Sequence, residues 1–383
     1  MRSFVRQHRV PGAALAVTRH GKLVYARGFG FADREAKEHV EPTALFRIAS
    51  VSKPITAVAV MQLVEQGRLG LEDKVVERMQ LTPHVSPGME PDKRWQQITI
   101  RQCLQHTGGW DRDKSGDPIG RAREIAEAVG VASPARPVDI VRFMMGQPLD
   151  FDPGSQYAYS NLGYLVLGRI IEKLTGEHYE PFVKKKVLAP LGIKAARLGR
   201  ARLEDRVIGE VKYVDSEKRT GDSLYAPHAQ VPIQYGAENI EGYEAHGGWI
   251  ASAVELVRFA SALDGAKLLK PATIAEMFAR PSGAPGDEAD GKPKDAYYGC
   301  GWSVRPIKGA KGKSNQWHTG FIAASEAILV RRWDGLSWAV LFNTSSTPGG
   351  KERLAGLIDG RVHEAADEVK RWPADDQFKR LLT

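Results

Sequence analysis

The spacing of apolar and polar residues changes period along the chain, and the changes divide it. Residues 13–19 and 22–27 are apolar-rich runs on either side of His20-Gly21, the pattern of a β-hairpin closed by a glycine-containing turn. Gly28, Gly30 and Asp33 then break the run. From Ile55 to Val64 the chain reads Ile-Thr-Ala-Val-Ala-Val-Met-Gln-Leu-Val before Gly67 stops it. That stretch is apolar on every side, so it predicts a buried central helix rather than a surface one. Pro54 fits if it lies in the first turn, where its missing N–H costs little. Ser50 and Lys53 then project from one face at the helix N-terminus.

Beyond the central helix the pattern is mostly helical from about residue 98 to 280. Spans 98–104, 139–145, 164–174, 179–187 and 253–263 carry helical spacing, ended by glycines at 108, 146, 176 and 192 where the pattern stops. Residues 281–296 are rich in Gly, Pro, Asp and Lys and predict an exposed loop. Strand-like runs return at 298–305, 322–330 and 337–342, the last two joined by a turn at Asp334-Gly335. Residues 351–369 form an amphipathic helix pattern with Leu354, Leu357, Ile358, Val362 and Ala366 on one face. Strands first and last, with helices between, predict an α+β fold. One antiparallel sheet is assembled from both chain ends and flanked by helices, with a mostly helical domain inserted in its middle. The expected division is a sheet-containing subdomain of residues 1–75 and 281–383 and a mostly helical subdomain of residues 76–280. No internal repeat or low-complexity tract occurs.

Composition narrows the classes. With 383 residues and 42% hydrophobic content the chain can bury a sizeable core. No run of about 18 apolar residues occurs, so no membrane-spanning helix is expected. Residues 1–9 lack an apolar signal-peptide region, which leaves the compartment open: periplasmic or secreted if a signal peptide has been trimmed, otherwise cytoplasmic. Cys103 and Cys300 lie far apart and are expected as free thiols; without a CxxC or clustered His they predict no zinc site. The net charge of +8 is scattered. Its densest basic cluster, Lys308 to Lys313, is glycine-spaced and reads as a solvated loop, so nucleic acid is not an expected partner.

Covalent acyl transfer needs a nucleophile, a base, a proton donor for the leaving group and an oxyanion hole. Ser50-Val51-Ser52-Lys53 can supply the first two if burial or a nearby cation lowers the lysine pKa. A Ser-x-x-Lys tetrapeptide arises roughly once by chance in a chain of this size; its place at the head of an apolar helix gives it weight. In Tyr157-Ala158-Tyr159-Ser160-Asn161 the alternation lets Tyr159 and Asn161 face one cleft. The tyrosine hydroxyl can relay a proton, and Asn161 can donate to a substrate carbonyl and accept from the lysine. Trp317-His318-Thr319-Gly320-Phe321 precedes an apolar strand. On an edge strand its backbone could pair with an extended substrate, with Gly320 permitting close approach. The Phe321 and Ser50 N–H groups could form the oxyanion hole. A second match, His106-Thr107-Gly108, follows a helix and reads as a helix-terminating loop. Trp110, Asp111, Arg112, Asp113 and Trp249 are candidates for the cleft wall, or equally for local packing and surface ion pairs.

The ordered set Ser-x-x-Lys, Tyr-x-Asn, His-Thr-Gly resembles the serine β-lactamase and penicillin-binding protein superfamily. The Tyr-x-Asn form is similar to the class C side, including family VIII carboxylesterases and D-aminopeptidase-like peptidases. Val10-Pro11-Gly12, Gly28-Phe29-Gly30, the 104–109 stretch, Asp152-Pro153-Gly154 and Gly247-Gly248-Trp249 extend the likeness over most of the chain. The resemblance implies a β-lactamase/transpeptidase-like fold, Ser50 as the acylated nucleophile, and Lys53 and Tyr159 sharing acid–base duty. It also implies Asn161, His318, Thr319, Gly320 and Phe321 at the substrate and oxyanion, with no metal or other cofactor. The chain departs from it at His318, where a lysine is usual and helps hold a substrate carboxylate; a neutral, shorter histidine weakens such a site. Small carboxylic esters are therefore the first expected substrates, with D-amino-acid peptides or amides next and β-lactams third. A sensor that acylates once, binding a β-lactam or peptidoglycan fragment, and an acyltransferase are the alternatives. The oligomeric state is not legible.

Overall fold

The computed structural model describes residues 1–382 apart from Ala266, Ser346, Pro348, Gly349 and Lys351. In chain order its strands are β1 (Gly12–Arg19), β2 (Lys22–Asp33), β3 (Glu38–His39), β4 (Phe46–Arg47), β5 (Arg197–Leu198), β6 (Thr220–Asp222) and β7 (Gln230–Pro232), then β8 (Trp249–Ala251), β9 (Tyr297–Tyr298), β10 (Ser303–Pro306), β11 (Ser314–Ile322), β12 (Ser325–Arg331) and β13 (Leu336–Phe342). Eight of them form one antiparallel sheet in the order β3-β2-β1-β13-β12-β11-β10-β9. The two chain ends meet where β1 pairs β13, from Ala13 opposite Phe342 to Arg19 opposite Leu336. The fold is the expected β-lactamase/transpeptidase-like α+β class, with the sheet built from both termini.

Every residue of β12 and β13 is buried, because helices cover both faces. Alternation sorts the side chains: Ile328, Val330, Trp338 and Val340 pack on the back with the helix Leu354–Asp367, while Ala327, Leu329, Ala339 and Leu341 face the main core. Small residues on that front face, Ala14, Ala16, Ala327 and Ala339, let the helix Ala253–Ala262 lie close on the sheet. A short helix, Arg2–Gln7, adds Phe4 to the back layer. It has no signal in the hydrophobic pattern because it buries a single apolar residue.

Some spans differ from the sequence expectation. The run 298–305 is two short strands separated by a turn, since Gly301 takes a positive φ of 84°. The run 322–330 straddles the tight turn Ala323-Ala324 between β11 and β12, which β-propensity alone does not reveal. The C-terminal helix begins at Leu354, and Lys351 lies outside the described residues. Cys103 and Cys300 are free and buried. Among the described residues no helix is long and apolar enough to cross a membrane.

The helix Ser52–Glu65 runs through the core with eleven buried residues, Pro54 in its first turn. Because it is apolar all round, it can be enclosed on every side. A small sheet, β4-β8-β5, sits at its head. There Arg47 is fully buried, its guanidinium donating to the carbonyls of Gln234 and Arg200, both at 2.7 Å, and its backbone N–H to the Tyr213 hydroxyl at 2.8 Å. These contacts fix the segment that leads into Ser50.

Candidate active site

Ser50 sits in a single 3-10 turn, Ala49–Val51, that feeds directly into the central helix. Ala49 has φ +47°, an uncommon conformation for a residue with a Cβ, and is buried. The Lys53 Nζ comes back over the turn to lie 3.0 Å from the Ser50 Oγ. It also donates to Asn161 Oδ1 at 2.7 Å and to the His246 carbonyl at 2.9 Å. The Tyr159 hydroxyl donates to the same Ser50 Oγ at 2.8 Å. Two motifs more than a hundred residues apart thus converge on one oxygen.

Each partner is held in turn. Asn161 opens the helix Asn161–Thr175, and its Nδ2 donates to Asp117 Oδ2 at 2.6 Å. Asp117 itself precedes Pro118 and accepts from the Ile119 N–H at 3.2 Å. The His106 ring packs on Tyr159 at 4.3 Å between centroids, with Nδ1 accepting from the Ser160 N–H at 3.2 Å. His246 presents its carbonyl because the helix Ile240–Gly247 breaks at Glu244, φ 29°.

Burial sets the protonation of this cluster. Lys53 is pushed well below the ordinary lysine range, first by burial; Asp117 opposes the shift and Arg112 adds to it. Tyr159 is pushed up by burial, with the hydrogen bond to Ser50 acting the other way. Both shifts run the same way: the lysine gives up its proton more readily than usual and the phenol keeps its own.

His318 lies in β11 and is buried. Its Nδ1 is 2.6 Å from the Thr319 carbonyl and its Nε2 is 2.8 Å from the Tyr298 hydroxyl. A carbonyl can only accept, so Nδ1 carries the proton and Nε2 accepts from Tyr298. Burial, then the Lys53 charge, drives its pKa down to about 3. It is a neutral ring at any ordinary pH.

β11 is not the outer strand of the sheet, as an edge-strand reading would have it. β10 and β9 lie beyond it, but β10 pairs only as far as Trp317, opposite Ser303. From His318 onward the flank away from β12 carries no strand. Gly320 backs onto the turn that holds Ser50: a Cβ there would run into the Ile48 carbonyl. Thr319 and Phe321 are exposed.

The cleft-wall candidates divide. Trp249 is a correction: it is fully buried, its indole N–H donating to the Tyr179 hydroxyl at 3.0 Å and its backbone N–H to Ser52 Oγ at 3.3 Å. It supports the central helix from behind and touches no cleft. Trp110 is also buried, against Trp95 at 5.1 Å, so it anchors the loop rather than walling it. The Asp111 side chain caps the short helix Arg112–Ser115 by accepting from the Asp113 N–H at 3.0 Å. The exposed Arg112 does reach the site, its guanidinium carbon 4.7 Å from the centre of the Tyr159 ring.

Sequence reasoning missed Asp117, His246 and Tyr298 and set His106 aside. His106-Thr107-Gly108 does end a helix, yet the φ of +58° at His106 turns its ring into the site. Asp117-Pro118 offered a turn signal only. Among the described residues no cluster of His, Cys, Asp or Glu is arranged to hold a metal ion.

A serine flanked by a buried lysine and a tyrosine, on this fold, defines the serine hydrolase superfamily. Residues 1–361 match the family model described as Beta-lactamase, and the chain belongs to that family. Esterase EstB of Burkholderia gladioli is 29% identical over 362 residues, covering 89% of this chain and 88% of the esterase. Penicillin-binding protein 4* of Bacillus subtilis (strain 168) is 28% identical over 384 residues, covering 98% of this chain and 78% of that protein. Among solved structures, D-amino acid amidase from Ochrobactrum anthropi SV3 complexed with D-phenylalanine superposes with a TM-score of 0.71 at 21% identity. That match covers 96% of this chain and 97% of the amidase, and is a likeness of fold.

Proposed function

We propose that this protein hydrolyses small carboxylic esters through an acyl-enzyme at Ser50. The observation that carries the choice of substrate is the neutral, buried His318, held by Tyr298 and the Thr319 carbonyl. At the strand position where a lysine would grip a substrate carboxylate, this chain presents a neutral ring, so a neutral ester suits the cleft better than an anionic β-lactam or peptide end. The similarity to esterase EstB agrees with that choice.

In acylation, Lys53 takes the Ser50 proton as Oγ adds to the ester carbonyl. The oxyanion is held by the N–H groups of Ser50 and Phe321. The register supports the latter. With Ile322 and Ser325 closing a two-residue turn, antiparallel alternation directs the Phe321 N–H away from β12, into the unpaired flank. Tyr159 gives its proton to the departing alkoxide, and the Lys53 ammonium restores it. Water then attacks the acyl group with the same pair acting in reverse, returning Ser50 and releasing the acid. The subdomain division at residues 75 and 280 would set this cleft between the sheet and the helical insert.

Steady hydrolysis of a short-chain p-nitrophenyl ester, abolished in Ser50→Ala and faster than hydrolysis of a penicillin, is the expected result. A single burst without turnover would identify a sensor instead. Preference for the penicillin would overturn the argument from His318.

A further inference from the structure

One charged side chain outside the immediate hydrogen-bond cluster lies against the reacting groups with no ionic partner of its own. Neighbouring arginines, Arg121, Arg136 and Arg169, each meet a carboxylate. Arg112 forms no ion pair among the described residues. It stands instead over the Tyr159 ring at 4.7 Å. Its loop is built to hold that pose. The Asp111 N–H and the Ser115 hydroxyl both donate to Asp150 Oδ2 at 2.8 Å, and the Lys114 Nζ donates to the Asp150 carbonyl at 3.2 Å. Trp110, buried on Trp95, pins the entry to the loop.

The surroundings make this cation count. Tyr159 is faced by Lys53, 4.7 Å from its ring, and by the Ser50 hydroxyl, the rings of His106, Tyr298 and His318, and Tyr157. Lys53 is faced by Asn161, the His246 carbonyl and, behind Asn161, the Asp117 carboxylate. Burial holds His106, His246 and His318 neutral. Among the described residues the charged groups at this relay are thus Arg112, Asp117 and, when protonated, Lys53.

We propose that Arg112 is a positioning residue for the proton relay, its guanidinium against the Tyr159 ring keeping Lys53 free of its proton and making the Tyr159 hydroxyl a readier donor to the leaving group. A fixed positive charge repels a proton on the amine and stabilises the phenolate left when Tyr159 gives its proton up. Both effects run in the direction catalysis needs. The proposal rests on the reading of Ser50 as nucleophile.

The test is the pH dependence of kcat/KM on a neutral p-nitrophenyl ester for the unaltered enzyme, Arg112→Lys and Arg112→Met, at low and high salt. A base must be deprotonated to act, so activity rises with pH through its apparent pKa. Removing the cation raises that pKa. In Arg112→Met the acid limb is expected about half to one pH unit higher, a roughly three- to tenfold loss on the limb, with a smaller loss persisting on the alkaline plateau because Tyr159 is then a poorer donor to the leaving group. Arg112→Lys keeps the original limb. High salt moves the limb of the unaltered enzyme upward by screening and leaves Arg112→Met nearly unmoved. A lowered plateau with an unmoved limb marks a merely structural role and overturns the proposal. Fluorophosphonate labelling in the same samples separates the two ideas: labelled Ser50 with an unmoved limb overturns the role of Arg112 alone, and no label at Ser50 overturns both.

Discussion

The neutrality of His318 has a thermodynamic consequence that can be measured without any substrate. In the unfolded chain a histidine titrates near 6.5; in the folded protein His318 is driven down to about 3. A group with a depressed folded pKa contributes stability that is present above the unfolded value and is lost as pH falls toward the folded one. At pH 5 the difference is about 1.5 pH units of unmatched proton uptake, or about 2 kcal/mol. His106 and His246 are displaced in the same direction by burial, so the whole protein is expected to lose more than this. His318→Gln isolates one share of it: the amide can donate to the Thr319 carbonyl and accept from Tyr298 without titrating. Urea unfolding of both proteins, followed by tryptophan fluorescence at pH 7.5 and 5.0, is the assay. Between those pH values His318→Gln should lose about 2 kcal/mol less stability than the unaltered protein. Equal losses would mean that folded His318 accepts a proton, and the site would then have the cation that an anionic substrate needs.

Other expectations follow from single contacts. Tyr159→Phe keeps the ring packed on His106 but removes the hydroxyl 2.8 Å from Ser50; ester turnover should fall by about 10²–10⁴ with unchanged circular dichroism, and a loss of only a few-fold would remove Tyr159 from the relay. Asp117→Asn deletes the anion that holds the Lys53 pKa up, so the acid limb of the ester pH profile should move to lower pH; movement upward contradicts the assignment of Lys53 as base. Trp249→Phe removes the indole donor to Tyr179 and should lower unfolding stability by about 1 kcal/mol while kcat/KM of the folded enzyme stays the same; a changed kcat/KM at unchanged stability would put Trp249 back in the cleft.

Why parts of this site can be read from the chain and others cannot follows from where the physical signal lies. Ser50 and Lys53 share one helical turn, so their spacing survives folding, and the apolar run behind them marks the buried helix that depresses the lysine. Tyr159 and Asn161 alternate on an extended approach to a helix, again a local pattern. The sheet was equally legible, because β1, β12 and β13 carry dense runs of branched and small apolar residues at both ends of the chain. Asp117 was not: its place behind Asn161 depends on the packing of a loop and carries no periodicity. His246 contributes a carbonyl, which every residue has, and only the break at Glu244 aims it at Lys53. Trp249 misled because a tryptophan beside two glycines looks like a cleft residue until its indole is seen to have a buried hydroxyl to meet. His318 and its neutrality near pH 7 were legible, but how far its pKa falls was not, since that comes from its burial among residues brought in by other elements.

Peptide mapping by mass spectrometry after brief exposure to a p-nitrophenyl ester, quenched in acid, addresses the account at its centre. The acyl mass is predicted on Ser50 and absent from Ser50→Ala. An acyl mass on any other residue, or hydrolysis that persists in Ser50→Ala, would contradict it.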